Sequence, residues 1–136
     1  MGSILLVEAE PEQHDRLAVA VREAGHEVLA AVTAPEAFSR TSEGGIDLIV
    51  VDGDPLVATE LARSLQALPD PPPIVLVSSS PTAPEISARI GAAAFLPKPF
   101  EVQELVAIIA RHVEPRPGRM FAEFGDEEPT DLVRNI

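Results

Sequence analysis

Five short apolar runs recur along the chain: Ser3 to Val7, Glu27 to Val32, Asp47 to Val51, Ile74 to Val77 and Ala93 to Leu96. Their length and their β-branched and apolar content predict buried strands. Between them the apolar positions switch to helical spacing. Leu17, Ala20, Val21 and Ala24 repeat at i, i+3, i+4 and i+7, and Gly25 supplies a stop. Pro35 opens a short second helix through Phe38, and Gly44-Gly45 marks the turn before the third run. Val57, Leu61, Leu65 and Leu68 form the stripe of a third helix, which must end before Pro69-Asp70-Pro71-Pro72-Pro73 because proline lacks the helical donor. A fourth helix runs from about Pro84 to Ile90, with Gly91 at its end. The fifth carries Val102, Leu105, Val106 and Ile109, while Ile108 falls off that stripe and is expected on the surface. Strand and helix therefore alternate as (βα)5, the pattern of a doubly wound α/β parallel sheet covered on both faces.

After Val113 the periodicity stops. Pro115, Pro117, Gly118 and the acidic run Asp126-Glu127-Glu128-Pro129 read as a tail or linker. The expected division is one domain over 1–114 and an acidic tail over 115–136, in which Met120, Phe121 and Phe124 are the residues able to dock back. Thr130, flanked by acids, is an ordinary solvated hydroxyl or a kinase target.

Composition narrows the function classes. Of 136 residues, 46% are hydrophobic and 4% aromatic, so the core must be aliphatic. A formal charge of -12 and a pI near 4.5 argue against direct contact with nucleic acid, which relies on clustered Lys and Arg. Zero cysteines exclude disulfides and thiolate metal sites. No apolar stretch approaches the roughly 20 residues that cross a bilayer, and the start lacks the basic segment and apolar run of a signal peptide. A soluble, cytoplasmic protein is the expectation, with proteins and cations as partners. His14, His26 and His112 are scattered without ligand spacing and read as structural or surface residues.

Ligands of a doubly wound sheet sit beyond the carboxyl ends of its strands. Strand one delivers Glu8-Ala9-Glu10-Pro11 there, strand three Asp52-Gly53-Asp54-Pro55, strand four Ser78-Ser79 and strand five Lys98-Pro99. Carboxylates gathered from adjacent strands repel unless a cation or proton compensates, and Mg²⁺ is the natural hard cation for oxygen ligands. An acidic nucleophile, a metal, a lysine and a hydroxyl together suit the handling of a phosphoryl group.

These residues, in this order, resemble the response-regulator receiver domain over about residues 3 to 113. The most specific stretch is Gly91-Ala92-Ala93-Ala94-Phe95-Leu96-Pro97-Lys98-Pro99-Phe100. The resemblance implies a flavodoxin-like receiver fold with strand order 2-1-3-4-5. It implies Asp52 as phosphoacceptor, served by a histidine kinase or phosphotransfer protein, with Lys98 pairing the phosphoryl oxygens. Glu8, Asp52 and the backbone carbonyl of Asp54 would hold Mg²⁺, and Ser78 and Phe95 would act as the coupled switch. A cis Lys98-Pro99 bond would aim Lys98, and the face of helix four, strand five and helix five would contact a downstream protein. A monomer or weak homodimer follows, acting as a signalling domain rather than an enzyme.

Two departures stand out. Ala9 replaces the second acid of the family's acidic pair, with Glu10 one residue further on as the substitute ligand, so metal affinity should fall. Pro55 lies three residues after Asp52 where the family has four, which reshapes the loop of the metal-facing carbonyl. Two readings stay open: a phosphorylated receiver, or a phosphorylation-independent pseudo-receiver acting as a protein interaction module. A flavin or nucleotide enzyme on the same sheet would need a glycine-rich loop after strand one. Glu8-Ala9-Glu10-Pro11-Glu12 would instead repel phosphate.

Overall fold

The computed structural model describes residues 2–113. The expected tail, the boundary at Glu114, Met120, Phe121, Phe124 and Thr130 lie outside the described residues. Ten elements alternate: β1 Ser3–Val7, α1 Pro11–Glu23, β2 Glu27–Ala31, α2 Ala34–Ser42, β3 Leu48–Asp52, α3 Pro55–Leu65, β4 Ile74–Ser78, α4 Ala83–Arg89, β5 Ala94–Pro97 and α5 Val102–His112. All strand pairings are parallel and the order is β2-β1-β3-β4-β5, as the resemblance implied. Relative to the sequence expectation, β3, β4 and β5 each end one residue later. That shift brings Asp52 and Ser78 into their strands.

The three central strands β1, β3 and β4 are buried throughout, which is why their sequences read as unbroken apolar runs. Alternate residues feed two cores. Ile4, Leu6, Leu48, Val50, Val75 and Val77 meet α1 and α5 on one face, while Leu5, Val7, Ile49, Val51 and Leu76 pack against the α2, α3 and α4 side. The helices start where proline can occupy the first turn, at Pro11, Pro35, Pro55 and Pro84, since the missing N–H is an orphan there anyway. Gly25, at φ 100°, lets the chain turn from α1 into β2, a conformation that side chains with a Cβ rarely adopt.

Two expectations need correction. Helix α2 runs through Ser42 rather than ending at Phe38. Its start is clamped by Thr33, whose Oγ1 accepts the Glu36 N–H at 3.2 Å, while the Glu36 carboxylate accepts the Val32 N–H at 2.8 Å. Its last turn is polar, and Thr41 and Ser42 return their hydroxyls to the Ala37 and Phe38 carbonyls. Hydropathy cannot see such a turn. Ile108, expected on the surface, is instead 9% exposed in the core with Leu105 and Ile109. Helix α5 packs against α1 as well as the sheet, so its buried arc is rotated by roughly 60° from the stripe read in sequence. Among the described residues no helix is long and apolar enough to cross a membrane.

Candidate functional site

The order of the strands reverses direction at the β1–β3 pair, so the loops leaving these two strands diverge and open a crevice at their carboxyl ends. Val7 pairs with Val51, which puts Glu8 and Asp52 on the next rung, side by side. Asp52 pairs with Val77, and Ser78 with Pro97, so Ser78 and Lys98 arrive at the same edge. The Lys98 N–H donates to the Ser78 carbonyl at 3.1 Å and ties the end of β5 to β4.

The Asp52 side chain is fully buried, and its Oδ1 lies 2.5 Å from Lys98 Nζ. Its Oδ2 is buried and, with Glu8 ionised, meets no donor among the described residues. Glu8 is also buried. One oxygen, Oε2, accepts the Glu10 N–H at 2.9 Å, and the other has no donor. Burial, followed by a hydrogen bond to Asp52 that only the neutral acid can donate, pushes the Glu8 carboxyl up to about 7; the Glu10 N–H and the Lys98 charge oppose the rise. Two carboxylates thus share one ammonium, and the excess negative charge is relieved near neutral pH by a proton or a cation.

The other expected residues divide. Ser78 is buried and its Oγ accepts the Ser80 N–H at 3.1 Å, which leaves the hydroxyl proton free to donate. The Lys98-Pro99 bond is cis. Phe95 is half-buried and packs on the α2–α4 face, level with Leu76. Asp54 caps α3: its carboxylate accepts the Leu56 N–H at 2.9 Å and its carbonyl accepts the Val57 N–H at 3.0 Å. That carbonyl is therefore committed to the helix by one lone pair. Ala9 and Glu10 are exposed, and Glu10 reaches the site through its backbone rather than its carboxylate. Among the described residues no three His, Cys, Asp or Glu side chains converge on a metal position.

Beside Asp52 a cleft of about 450 Å³ opens between α1 and the β5–α5 loop, lined by Gln13, Arg16, Leu17, Ser79, Lys98 and Phe100 among others. Sequence reasoning missed its α1 wall. Gln13 and Arg16 lie three residues apart on an amphipathic helix, and in sequence such residues look like part of a solvated face.

Comparison with known proteins places this geometry. The family model of the response regulator receiver domain matches residues 4–110. The chain is 30% identical over 112 residues to the transcriptional regulatory protein YkoG of Bacillus subtilis, covering 79% of this chain and 49% of that protein. It is 31% identical over 132 residues to the DNA-binding transcriptional regulator NtrC of a Bradyrhizobium strain, covering 93% of this chain and 27% of that protein. The chain thus spans half or less of the length of these relatives. Among solved structures, a receiver domain from Clostridium thermocellum superposes with a TM-score of 0.74 at 19% identity, over 90% of this chain and 99% of that one. The chemotaxis protein CheY4 of Vibrio cholerae gives 0.72 at 23% identity, over 83% and 99%.

Proposed function

Because the chain belongs to the response regulator receiver domain family, we propose that it accepts a phosphoryl group on Asp52 from a phosphohistidine of a histidine kinase or phosphotransfer protein. The observation that carries this reading is a fully buried carboxylate with one oxygen on Lys98 and the other free of donors once Glu8 is ionised. An acceptor for phosphorus needs such a lone pair, and Oδ2 has it. Oδ2 attacks phosphorus, the bond from phosphorus to the imidazole nitrogen breaks, and that nitrogen leaves with the electron pair and takes a proton. The Lys98 ammonium then moves from a lone carboxylate to a more highly charged acyl phosphate, so its interaction strengthens along the reaction.

Mg²⁺ would fit the carboxylates of Glu8, with its donor-free Oε1, and Asp52, because this ion is commonly held by one or two carboxylates and keeps several waters. When bound it supplies further neutralisation of the phosphoryl oxygens. Glu8 and Asp52 would hold it, and Asp54 would contribute at most the second lone pair of its carbonyl. With Ala9 giving no carboxylate and Glu10 turned to solvent, binding is weak. Ser78 has a free hydroxyl proton to offer the acyl phosphate, and its movement, coupled to Phe95, would alter the α4–β5–α5 face toward a downstream protein. We place this chemistry in the cytoplasm, on a monomer or weak homodimer.

Incubation with Mg²⁺ and acetyl phosphate, followed by intact mass measurement, should show a phosphoryl adduct that Asp52→Asn abolishes. An adduct that persists in Asp52→Asn would sink the assignment. A specific observation favours the second reading: the engaged Asp54 carbonyl and the missing acid at Ala9 both weaken the metal site. No adduct in the wild-type protein would make the chain a pseudo-receiver that binds its partner without phosphate.

A further inference from the structure

We propose that Arg16 completes an anion site in the cleft beside Asp52, where its guanidinium and the Lys98 ammonium together hold the phosphoryl oxygens of an incoming acyl phosphate. The inference rests on the phosphoacceptor reading above and names the residue that recruits the donor. Arg16 lines the same cleft as Asp52 and Lys98. Its guanidinium donates to the Gln13 side chain one turn earlier on α1, which steadies the fork, and among the described residues it meets no carboxylate. Arg40 and Arg89 are paired along their own helices with Glu36 and Glu85, and of the arginines that meet no carboxylate among the described residues (Arg16, Arg22, Arg63 and Arg111) Arg16 is the one that lines this cleft. Lys98 already answers the Asp52 charge, so Arg16 is a surplus cation in a chain of net charge -12.

Chemistry explains why such a cation matters here. A planar guanidinium presents paired donors that match two phosphoryl oxygens, whereas an ammonium is a point charge. The walls formed by Leu17, Phe100 and Val102 are apolar, so Lys98 acts in a less screened setting than bulk water, while Arg16 reaches the cleft from the exposed face of α1. With Ala9 in place of an acid, Mg²⁺ would occupy the site less readily, and Arg16 supplies positive charge from the opposite wall. The step balances without a proton: an Asp52 oxygen bonds to phosphorus, the bond from phosphorus to the acyl oxygen breaks, and the carboxylate leaves with the electron pair.

The test follows initial rates of Asp52 phosphorylation against acetyl phosphate concentration for the wild type, Arg16→Ala and Arg16→Lys. Arg16→Ala should raise the half-saturating concentration roughly tenfold or more, the range for one lost charge-assisted contact, with Arg16→Lys recovering part of it. An unchanged half-saturating concentration in Arg16→Ala overturns the proposal. A second measurement needs no phosphotransfer: titration with inorganic phosphate, followed by amide shifts at Lys98 and at residues 100–102. If no donor labels Asp52, yet phosphate binds the wild type and binds Arg16→Ala at least several-fold more weakly, the anion site stands and the phosphoacceptor reading falls. Equal shifts in both proteins, or none in either, overturn the anion site itself.

Discussion

Strand β3 begins and ends beside an aspartate, and the two could hardly be treated more differently. At the amino-terminal edge of the sheet, Asp47 accepts the Ser3 N–H at 2.8 Å, Ser3 Oγ donates to Glu27, and the Gly2 N–H donates to His26. Polar groups there are matched to partners, and the cluster ties β1 to the starts of β2 and β3. At the carboxyl-terminal edge, Asp52 and Glu8 are buried, and with Glu8 ionised their oxygens meet, among the described residues, no partner beyond Lys98 and one backbone N–H. A buried acceptor without a donor costs about 1–3 kcal/mol. A fold that pairs the polar groups at one end and leaves acceptors bare at the other makes the bare end the candidate place of chemistry.

The largest effect should come from exchanging the two aspartates as targets. Asp52→Asn removes all phosphoryl incorporation. Asp47→Ala leaves incorporation within about twofold and lowers stability by about 1–3 kcal/mol, because the Ser3 N–H loses its acceptor. Urea unfolding and intact mass measured on both variants decide this. Equal losses of phosphorylation would erase the distinction between the two edges.

Next comes the ion pair. Lys98→Met strands a fully buried Asp52 carboxylate, and removing one partner of a buried pair costs about 3–5 kcal/mol. The double variant Lys98→Met with Asp52→Asn should recover most of that loss, since neither charge is then left behind. Denaturant midpoints for the four proteins form the double-mutant cycle. A double variant no more stable than Lys98→Met would mean that packing around Lys98, rather than charge, holds this edge together.

How much of this contrast was legible in the sequence follows from the same physics. The central strands could be read because burial on both faces demands unbroken apolar runs, and Ile4 to Val7, Leu48 to Val51 and Ile74 to Val77 satisfy that demand. Asp52, Ser78 and Lys98 could be read because each sits just where such a run ends. The last turn of α2 could not, since Thr41 and Ser42 are held by hydroxyl bonds to carbonyls instead of by an apolar face. Ile108 was misplaced because one helix stripe does not reveal that α5 also packs on α1. Arg16 stayed hidden for a related reason: an arginine next to Leu17 becomes a site residue only when the β5–α5 loop closes the other wall of its cleft.

A smaller effect concerns pH. A glutamate ordinarily ionises near 4.5, while Glu8 in the folded protein does so near 7, first because of burial and then because of its hydrogen bond to Asp52. Between those values the folded chain holds the proton that the unfolded chain has lost. Stability from this group is therefore complete below about pH 4.5 and disappears as pH rises through 7, a change on the order of 1–3 kcal/mol. Glu8→Gln should remove that slope when unfolding is followed with chelator present. A wild-type curve that already matches Glu8→Gln from pH 5 to 8 would show that no proton is held between the carboxylates.

The smallest effect sharpens the contrast by adding charge rather than removing it. Ala9 is exposed and follows Glu8 directly, just beyond the carboxyl end of β1. Ala9→Asp adds a third carboxylate next to Glu8 and Asp52, and a divalent cation gains a ligand of opposite charge. Mg²⁺ affinity should rise roughly tenfold, about 1.4 kcal/mol, as read by calorimetric titration. The control is Ala67→Asp, which adds the same charge at an exposed position just beyond α3, toward the other edge of the sheet, and should leave the affinity within about twofold. If both variants bind Mg²⁺ equally well, the gain reflects net charge alone and the carboxyl edge has no special claim on the ion. If only Ala9→Asp gains, the crevice is a cation site that lacks one ligand, and the phosphorylation rate at subsaturating Mg²⁺ should rise with it.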